Sequence, residues 1–192
     1  MTDASVINKY DKVVVELGSG DGRLLNHIAN ENIRENILLI GIELNTSEHQ
    51  KACENLKKDN VIFINQSFEI AIIHIPEESV NIFISVLPHP RYVDKAYQDS
   101  WVPFYRTVFR KLKKMGMFLL VTELTDELLQ PVDLSTFIVW KHWLYQIFST
   151  MGFKIEAIKD GPPRSFSTTY LDQFKGDPER IRIVSLLMTK DK

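Results

Sequence analysis

The sequence predicts a single α/β domain spanning residues 1–192, built around a mostly parallel sheet. Short apolar runs alternate with amphipathic stretches along the chain, which is the pattern of repeated strand–helix–strand units. Hydrophobic residues make up 44% and charged residues 25% of the chain, a balance typical of a globular protein with a sizeable core. No repeat or low-complexity linker interrupts the pattern, so we expect one domain.

Seven apolar runs are predicted to form the strands, with helices on both faces of the sheet. The strands are expected at Val13–Leu17, Ile37–Ile42, Val61–Ile64, Val80–Val86, Met117–Val121, Phe153–Ile158 and Ile181–Met188. Longer helices are expected at Ser47–Lys58, with Ser47 as N-cap, at Trp101–Lys114 and at Trp140–Thr150. No helix is predicted between the last two strands, so these two strands should form an antiparallel pair at the sheet edge.

Bulk composition excludes several classes of protein. A net charge of −2 argues against coating nucleic acid through charge alone, although a local basic patch is compatible with it. Cys53 is the only cysteine, which excludes an internal disulfide and a cysteine-based zinc site. No apolar run approaches the length of a membrane span, and the N-terminus lacks the features of a signal peptide. We therefore expect a cytoplasmic protein without membrane or metal, and the oligomeric state stays open.

The strongest motif is a glycine-rich loop after the first strand. Gly18 permits a tight turn and Gly20 allows a ligand to approach the backbone closely. A dinucleotide-binding loop would have its third glycine at position 23, but here the third glycine is Gly22, and Glu16 lies two residues before the first. This G-x-G-x-G pattern resembles motif I of the class I S-adenosylmethionine (SAM) methyltransferases. The resemblance implies a Rossmann-like fold and SAM as cofactor.

Two further sites in the first half of the chain agree with that motif. Glu43 ends the second strand about 20 residues beyond the loop, where an acid can bind ribose hydroxyls. Ser67 and Phe68 follow the third strand, where the family places adenine. Each residue alone would be an ordinary strand end or core residue, but together they favour SAM over NAD. The resemblance assigns cofactor contacts to Glu16, Gly18, Ser19, Gly20, Gly22, Glu43, Leu44, Ser67, Phe68 and Leu87.

The second half of the chain carries a more specific resemblance, which covers about Lys12 to Met188 in all. The loop after strand four should lie beside the transferred methyl, because open α/β sheets bind ligands at the carboxyl ends of their strands. It reads Pro88-His89-Pro90-Arg91 where the tRNA (guanine-N7)-methyltransferase family has P-D-P-W. Thr168-Thr169-Tyr170-Leu171 is similar to the family's T-x-[FY]-E motif. The substrate contacts implied are Pro88, His89, Pro90, Arg91, Thr168 and Tyr170.

This chain departs from that family at chemically important positions. His89 replaces the Asp of P-D-P-W, Leu171 replaces the Glu of the later motif, and the basic residues of the first loop are lost. Methylation of guanine N7 needs no proton removed, and positioning can supply about 7–11 kcal/mol of such a barrier. A carboxylate would stabilise the cationic product. Glu123 is the first candidate for this role and Asp94 the second, although Glu123 could be an ordinary strand end.

Three functions remain open from the sequence. The favoured one is methylation of a base in structured RNA, with tRNA guanine N7 as the target and RNA as the partner. Arg106, Arg110, Lys113 and Lys114 could then contact RNA, or could simply form the solvated face of a helix. The second is a protein lysine methyltransferase, because the cofactor motifs also resemble small enzymes of that kind. The third is a non-catalytic SAM-binding partner subunit, which the altered P-D-P-W motif would suit.

Overall fold

Seven strands form one sheet in the computed structural model, which describes residues 4–125, 128, 130–164, 166 and 168–191. The strand order is β3-β2-β1-β4-β5-β7-β6. Strands β1 to β5 are parallel, and β7 is antiparallel to both of its neighbours. The predicted mostly parallel sheet with an antiparallel last strand is confirmed. The strands are β1 (Lys12–Leu17), β2 (Ile37–Glu43), β3 (Val61–Asn65), β4 (Val80–Val86), β5 (Leu112–Thr125), β6 (Lys154–Asp160) and β7 (Ile181–Thr189).

Helices cover both faces of this sheet. They are α1 (Ala4–Ile7), α2 (Arg23–Glu31), α3 (Thr46–Asn55), α4 (Phe68–Ala71), α5 (Gln98–Lys111), α6 (Leu134–Thr150) and α7 (Thr169–Phe174). One face packs on an aromatic cluster that includes Trp101, Tyr105, Phe118 and Phe148, and the other on an aliphatic cluster that includes Leu25 of α2. The parallel strands are therefore buried on both sides, which explains their continuous apolar runs. No helix in the described ranges is long and apolar enough to span a membrane.

Several predicted boundaries were wrong. The N-cap of α3 is Asn45, whose side chain accepts from the N–H groups of Ser47 and Glu48. Helix α5 ends at Lys111, so Lys113 and Lys114 belong to β5. Helix α7 lies between β6 and β7, where no helix was predicted, and its N-cap Thr168 accepts from the N–H of residue 171 at 3.2 Å.

The strand order places a crevice at the carboxyl ends of β1 and β4. The chain runs outward from β1 through β2 to β3, and then returns to the other side of β1 with β4. Glu16, near the end of β1, is in register with Gly41 of β2 and Ile84 of β4. Loops that follow neighbouring strands therefore diverge here, and open α/β sheets bind their ligands at such a point.

Candidate cofactor and substrate site

The glycine-rich loop lies in this crevice, between β1 and α2. The N–H groups of Gly18 and Ser19 both donate to the carbonyl of Ile42, at 2.9 and 3.0 Å, which fixes the loop to β2. Gly20 has φ +51° and lines the open cleft, and a Cβ built on it would meet nothing within 4 Å. Its backbone is therefore accessible to a ligand. Gly22 serves packing instead, because a Cβ there would lie 2.9 Å from the ring of Phe63.

The carboxylate of Glu43 connects this loop with the start of α3. One oxygen accepts from the N–H of Gly20 at 2.8 Å and the other from the N–H of Asn45 at 2.7 Å. A carboxylate offers about four acceptor positions. Glu43 thus keeps capacity for two hydroxyl donors while its orientation is fixed by the backbone.

Glu16 is the most unusual polar residue of the cleft. Its side chain is 1% exposed, and no described residue donates to its Oε2 atom. Burial raises the pKa of this carboxyl, and the nearby charges of Asp21 and Glu43 raise it further. The hydroxyl of Ser19 is also buried without a partner in the described part of the chain. Unpaired buried polar atoms are costly, so this end of the cleft suits a ligand that carries cationic and hydrogen-bonding groups.

An aromatic wall closes the cleft beyond Glu43. The ring of Phe68 lines the cleft and packs 4.9 Å from the rings of both Tyr92 and Phe104, measured between centroids. The Tyr92 hydroxyl donates to Glu69, the neighbour of Phe68. This contact links the loop after β4 to the turn after β3. Burial and the bond to Glu69 raise the pKa of Tyr92, so it stays a protonated donor.

The loop after β4 forms the opposite side of the cleft. Leu87 has a left-handed backbone with φ +51°, which is rare for a residue with a side chain, and its N–H donates to Val121 at 2.7 Å. The Nδ1 atom of His89 accepts from the N–H of Arg91 at 3.2 Å. A neutral imidazole with an accepting Nδ1 carries its proton on Nε2. His89 therefore offers a donor to the cleft rather than a base.

Most of the predicted contacts come together in this cleft, and some do not. Leu44 is 69% exposed, and neither it nor Ser67, Pro90 or Arg91 lines the cleft. The side chain of Tyr170 lies outside the described residues. The predicted residues that line the cleft are Glu16, Gly18, Ser19, Gly20, Glu43, Phe68, Leu87, Pro88, His89 and Thr168. Sequence reasoning missed Asp21, Arg23, Asn45 and Glu48, although Asn45 precedes a helix as a typical N-cap.

The two proposed carboxylates lie elsewhere. Glu123 is 6% exposed within β5, it does not line the cleft, and burial raises its pKa to about 7. Asp94 caps a short turn, where its carboxylate accepts from the N–H of Ala96 at 2.8 Å. Its carbonyl accepts from the indole of Trp101 at 2.7 Å. Asp94 thus fixes the loop after β4, and in this arrangement neither carboxylate faces the cleft.

The structure also explains Leu171 and shows where the end of the predicted basic helix lies. Leu171 is fully buried in the aliphatic cluster, so an apolar residue suits its position on α7. The end of α5 lies at the amino edge of the sheet, because Lys111 pairs with Glu77 at 2.8 Å just before β4 begins. Arg110 also approaches Glu77, at 3.7 Å. Arg110, in the predicted basic face, therefore lies at the edge of the sheet opposite the cleft.

No protein-family model matches this chain, and no curated protein matches it in sequence. Its structure is similar to those of solved methyltransferases, which include the following three. The 16S rRNA methyltransferase KamB has a TM-score of 0.73 at 17% identity, over 100% of this chain and 95% of that one. The 16S rRNA (adenine(1408)-N(1))-methyltransferase from Catenulisporales acidiphilia, solved with SAM, has a TM-score of 0.67 at 12% identity, over 98% of this chain and 90% of that one. A SAM-dependent methyltransferase from Mesorhizobium loti has a TM-score of 0.62 at 17% identity, over 93% of this chain and 90% of that one.

The chain has the SAM-dependent methyltransferase fold. At identities this low, the similarity concerns the arrangement of strands and helices. The cleft between β1 and β4 therefore has to be interpreted from its own residues. Those residues fit SAM, which combines an ammonium, a sulfonium, a ribose diol and an adenine. Glu16, Glu43 and Phe68 could hold the first, third and fourth of these groups.

Proposed function

We propose that this protein is a SAM-dependent methyltransferase that methylates a ring nitrogen of a base in structured RNA, with tRNA guanine N7 as the favoured target. The observation that carries the proposal is the buried carboxyl of Glu16 beneath the glycine-rich loop, whose Oε2 atom has no partner among the described residues. A protein without a cationic ligand at this position would hold a buried, destabilised acid for no compensation. The SAM-methyltransferase fold supports the same interpretation.

The cofactor end of the cleft would act mainly by binding and orienting SAM. Glu16 would accept from the ammonium of the methionine part, and Glu43 would accept from the ribose hydroxyls, since its two oxygens are already fixed by Gly20 and Asn45. Phe68 would pack on the adenine. SAM supplies the electrophilic methyl, so the contribution of these residues is to place it.

The substrate end of the cleft favours a ring nitrogen as acceptor. The described lining residues there are Val86 to His89 and Thr168, and they include no carboxylate. An attacking lysine must first lose a proton, which calls for a nearby base. Guanine N7 has an in-plane lone pair and needs no base. His89, as a donor, would suit an oxygen of the base or its phosphate.

Adenine N1 in 16S rRNA is the second candidate acceptor. It has the same in-plane lone pair and needs no base either. The structural similarity to two 16S rRNA methyltransferases supports it. The Pro88–Arg91 and Thr168–Leu171 motifs support guanine N7 in tRNA.

Methyl transfer from labelled SAM would test the proposal. Unmodified tRNA, 16S rRNA and a mixture of proteins would serve as parallel acceptors, with Glu16→Gln as the variant weakened in SAM binding. Label in N7-methylguanine or N1-methyladenine after nuclease digestion would identify the acceptor. Label only in protein would favour a lysine methyltransferase. SAM binding without label in any acceptor would favour the non-catalytic partner subunit, and no SAM binding would reject the proposal.

A further inference from the structure

A second cavity, of about 350 Å³, opens at the same edge of the sheet as the cofactor cleft. Leu124 lies one residue before the end of β5, the strand next to β4. Lys95 follows His89 by six residues on the loop that borders the cleft. The cavity shares no lining residue with the cleft. It is lined by Lys95, Leu124, Ser135, Thr136, Val139, Trp140 and Trp143.

Two half-buried indoles, those of Trp140 and Trp143, line this cavity, and each packs against another aromatic ring. The ring of Trp143 meets the buried Trp101 edge-on, with centroids 5.9 Å apart. The ring of Trp140 stacks on Phe137, with centroids 6.1 Å apart and planes 25° apart. Within the described part of the chain, the indole N–H of neither residue has a hydrogen-bond acceptor. The cavity therefore presents rigid aromatic surface and free donors, which bind a planar ligand at low entropic cost.

Lys95 gives the cavity one cationic group that can pair with an anion. Lys95 is exposed and is its only charged lining residue among those described. The two carboxylates close in sequence keep their negative charge, but their oxygens accept hydrogen bonds from their own caps. Asp94 accepts from the N–H of Ala96, and Asp133 accepts from the hydroxyls of Ser135 and Thr136. A ligand with an aromatic plane and a neighbouring anion would thus be complementary to this surface.

We propose that this cavity binds an unpaired nucleobase that flanks the methylated nucleotide, with the base stacked on the indoles and its phosphate at Lys95. This inference rests on the proposed function, because it adds a second contact to the same RNA. RNA is recognised largely through unstacked bases that stack on aromatic side chains. A second site beside the cleft also explains how RNA can be held although Arg110 and Lys113 lie toward the far edge of the sheet.

A second copy of this chain is the rival occupant. The outer side of α6 exposes four large apolar side chains, namely Leu134, Ile138, Val139 and Tyr145. Such a patch can mark a protein interface. The lysine and the free indole donors favour a nucleobase, and self-association is an outcome that the test must separate.

Tryptophan fluorescence of the full chain tests the inference directly. The probe is an oligoadenylate hexamer, and an abasic ribose-phosphate hexamer of equal charge is its control. Trp101 is buried, so the response should come from Trp140 and Trp143. We expect the oligoadenylate to quench the emission and the abasic oligomer to leave it unchanged. Stacking on one aromatic ring corresponds to about 5- to 150-fold in affinity.

Four variants make the test specific. Trp143→Leu removes the aromatic face but keeps apolar volume, and it should weaken oligoadenylate binding by about 5- to 150-fold. Trp140→Leu gives a second measurement should the first variant fold poorly. Tyr145→Leu removes an exposed aromatic ring of the same helix that does not line the cavity, and it should bind normally. Lys95→Gln should reduce the slope of log affinity against log salt by about one.

The outcomes separate this inference from the proposed function. Equal quenching by the abasic oligomer, or equal binding by Trp143→Leu and Tyr145→Leu, would overturn the nucleobase site. A wild-type dimer in sedimentation equilibrium that Trp143→Leu converts to a monomer, with RNA binding unchanged, would assign the surface to self-association. Methyl transfer to RNA that persists through either result would leave the proposed function standing. Stacking without methyl transfer would leave the cavity standing and reject the function.

Discussion

Replacing Glu123 by glutamine should make the protein more stable at alkaline pH. The carboxyl is 6% exposed in β5, and no described residue pairs with its Oε2 atom. Desolvation raises its pKa to about 7, whereas an unfolded glutamate titrates near about 4.3. The folded protein therefore holds this proton more tightly than the unfolded chain does. The stabilisation that the bound proton gives the folded state is complete below the pKa of the unfolded glutamate, and it is lost as the pH rises through about 7.

The expected size follows from that difference in pKa. Full ionisation of Glu123 in the folded protein costs roughly 3–4 kcal/mol relative to the protonated state. Between about pH 5 and pH 8.5, the free energy of unfolding of the wild type should fall by about 2.5 kcal/mol more than that of Glu123→Gln. Glutamine keeps the shape of the protonated acid and cannot ionise, so this part of the pH dependence disappears.

Urea unfolding at the two pH values measures the difference. Glu54→Gln removes a charge from an exposed position and serves as the control for net charge. Parallel loss of stability in the wild type and in Glu123→Gln would refute the reasoning, because it would mean that the carboxyl is ionised and solvated at neutral pH. Methyl transfer by the same variant tests the role predicted from the sequence. If Glu123 is only a buried residue of the sheet, Glu123→Gln should change the rate of methyl transfer little. If its carboxylate stabilises the cationic product, loss of the charge should lower that rate by about 100-fold or more.

Three further substitutions test the cofactor cleft. Gly20→Leu should abolish SAM binding in calorimetry without unfolding the protein. Gly161→Leu is its control, because it shares the left-handed backbone and open surroundings but lies away from the cleft, and normal SAM binding by both variants would reject the site. Glu16→Gln should weaken SAM binding by about 1.5–3 kcal/mol. Wild-type affinity should fall with decreasing pH as Glu16 protonates, and a pH-independent wild type would contradict this. Tyr92→Phe removes the bond to Glu69 and should raise the KM for SAM more than it lowers kcat, so an unchanged KM would argue against a positioning role.

The fold could be predicted from local pattern because each parallel strand is a short, continuous apolar run. The elements that the pattern missed depend on contacts distant in sequence. Helix α7 has only six residues, and it is held by the burial of Leu171 against the sheet. The start of α3 was misplaced because Asn45, Thr46 and Ser47 all suit an N-cap, and only the structure shows which side chain accepts the helical N–H groups.

The same contrast explains why the cofactor half of the site was predicted better than the substrate half. Gly20 follows the end of β1 and Glu43 is the last residue of β2, and apolar runs fix the positions of both strands. Glu123 was expected at the end of the fifth strand, but β5 continues to Thr125 because β7 pairs with it to that point. The extension keeps Glu123 inside the sheet. Its antiparallel partner, Ile183, is 60 residues away in the sequence, so local pattern could not predict this pairing.

The charges of the cleft region are divided in a way that suits the proposed reaction. Glu16, Asp21 and Glu43 converge on the cofactor end, where SAM would bring its positive charge. At the substrate end, the loop after β4 supplies the donor His89 and the cation Lys95, where RNA would bring its phosphates. Methyl transfer to a ring nitrogen moves one positive charge from the sulfonium to the base. The charge thereby leaves the acidic end, so loss of the sulfonium weakens the attraction of that end for S-adenosylhomocysteine and should favour its release.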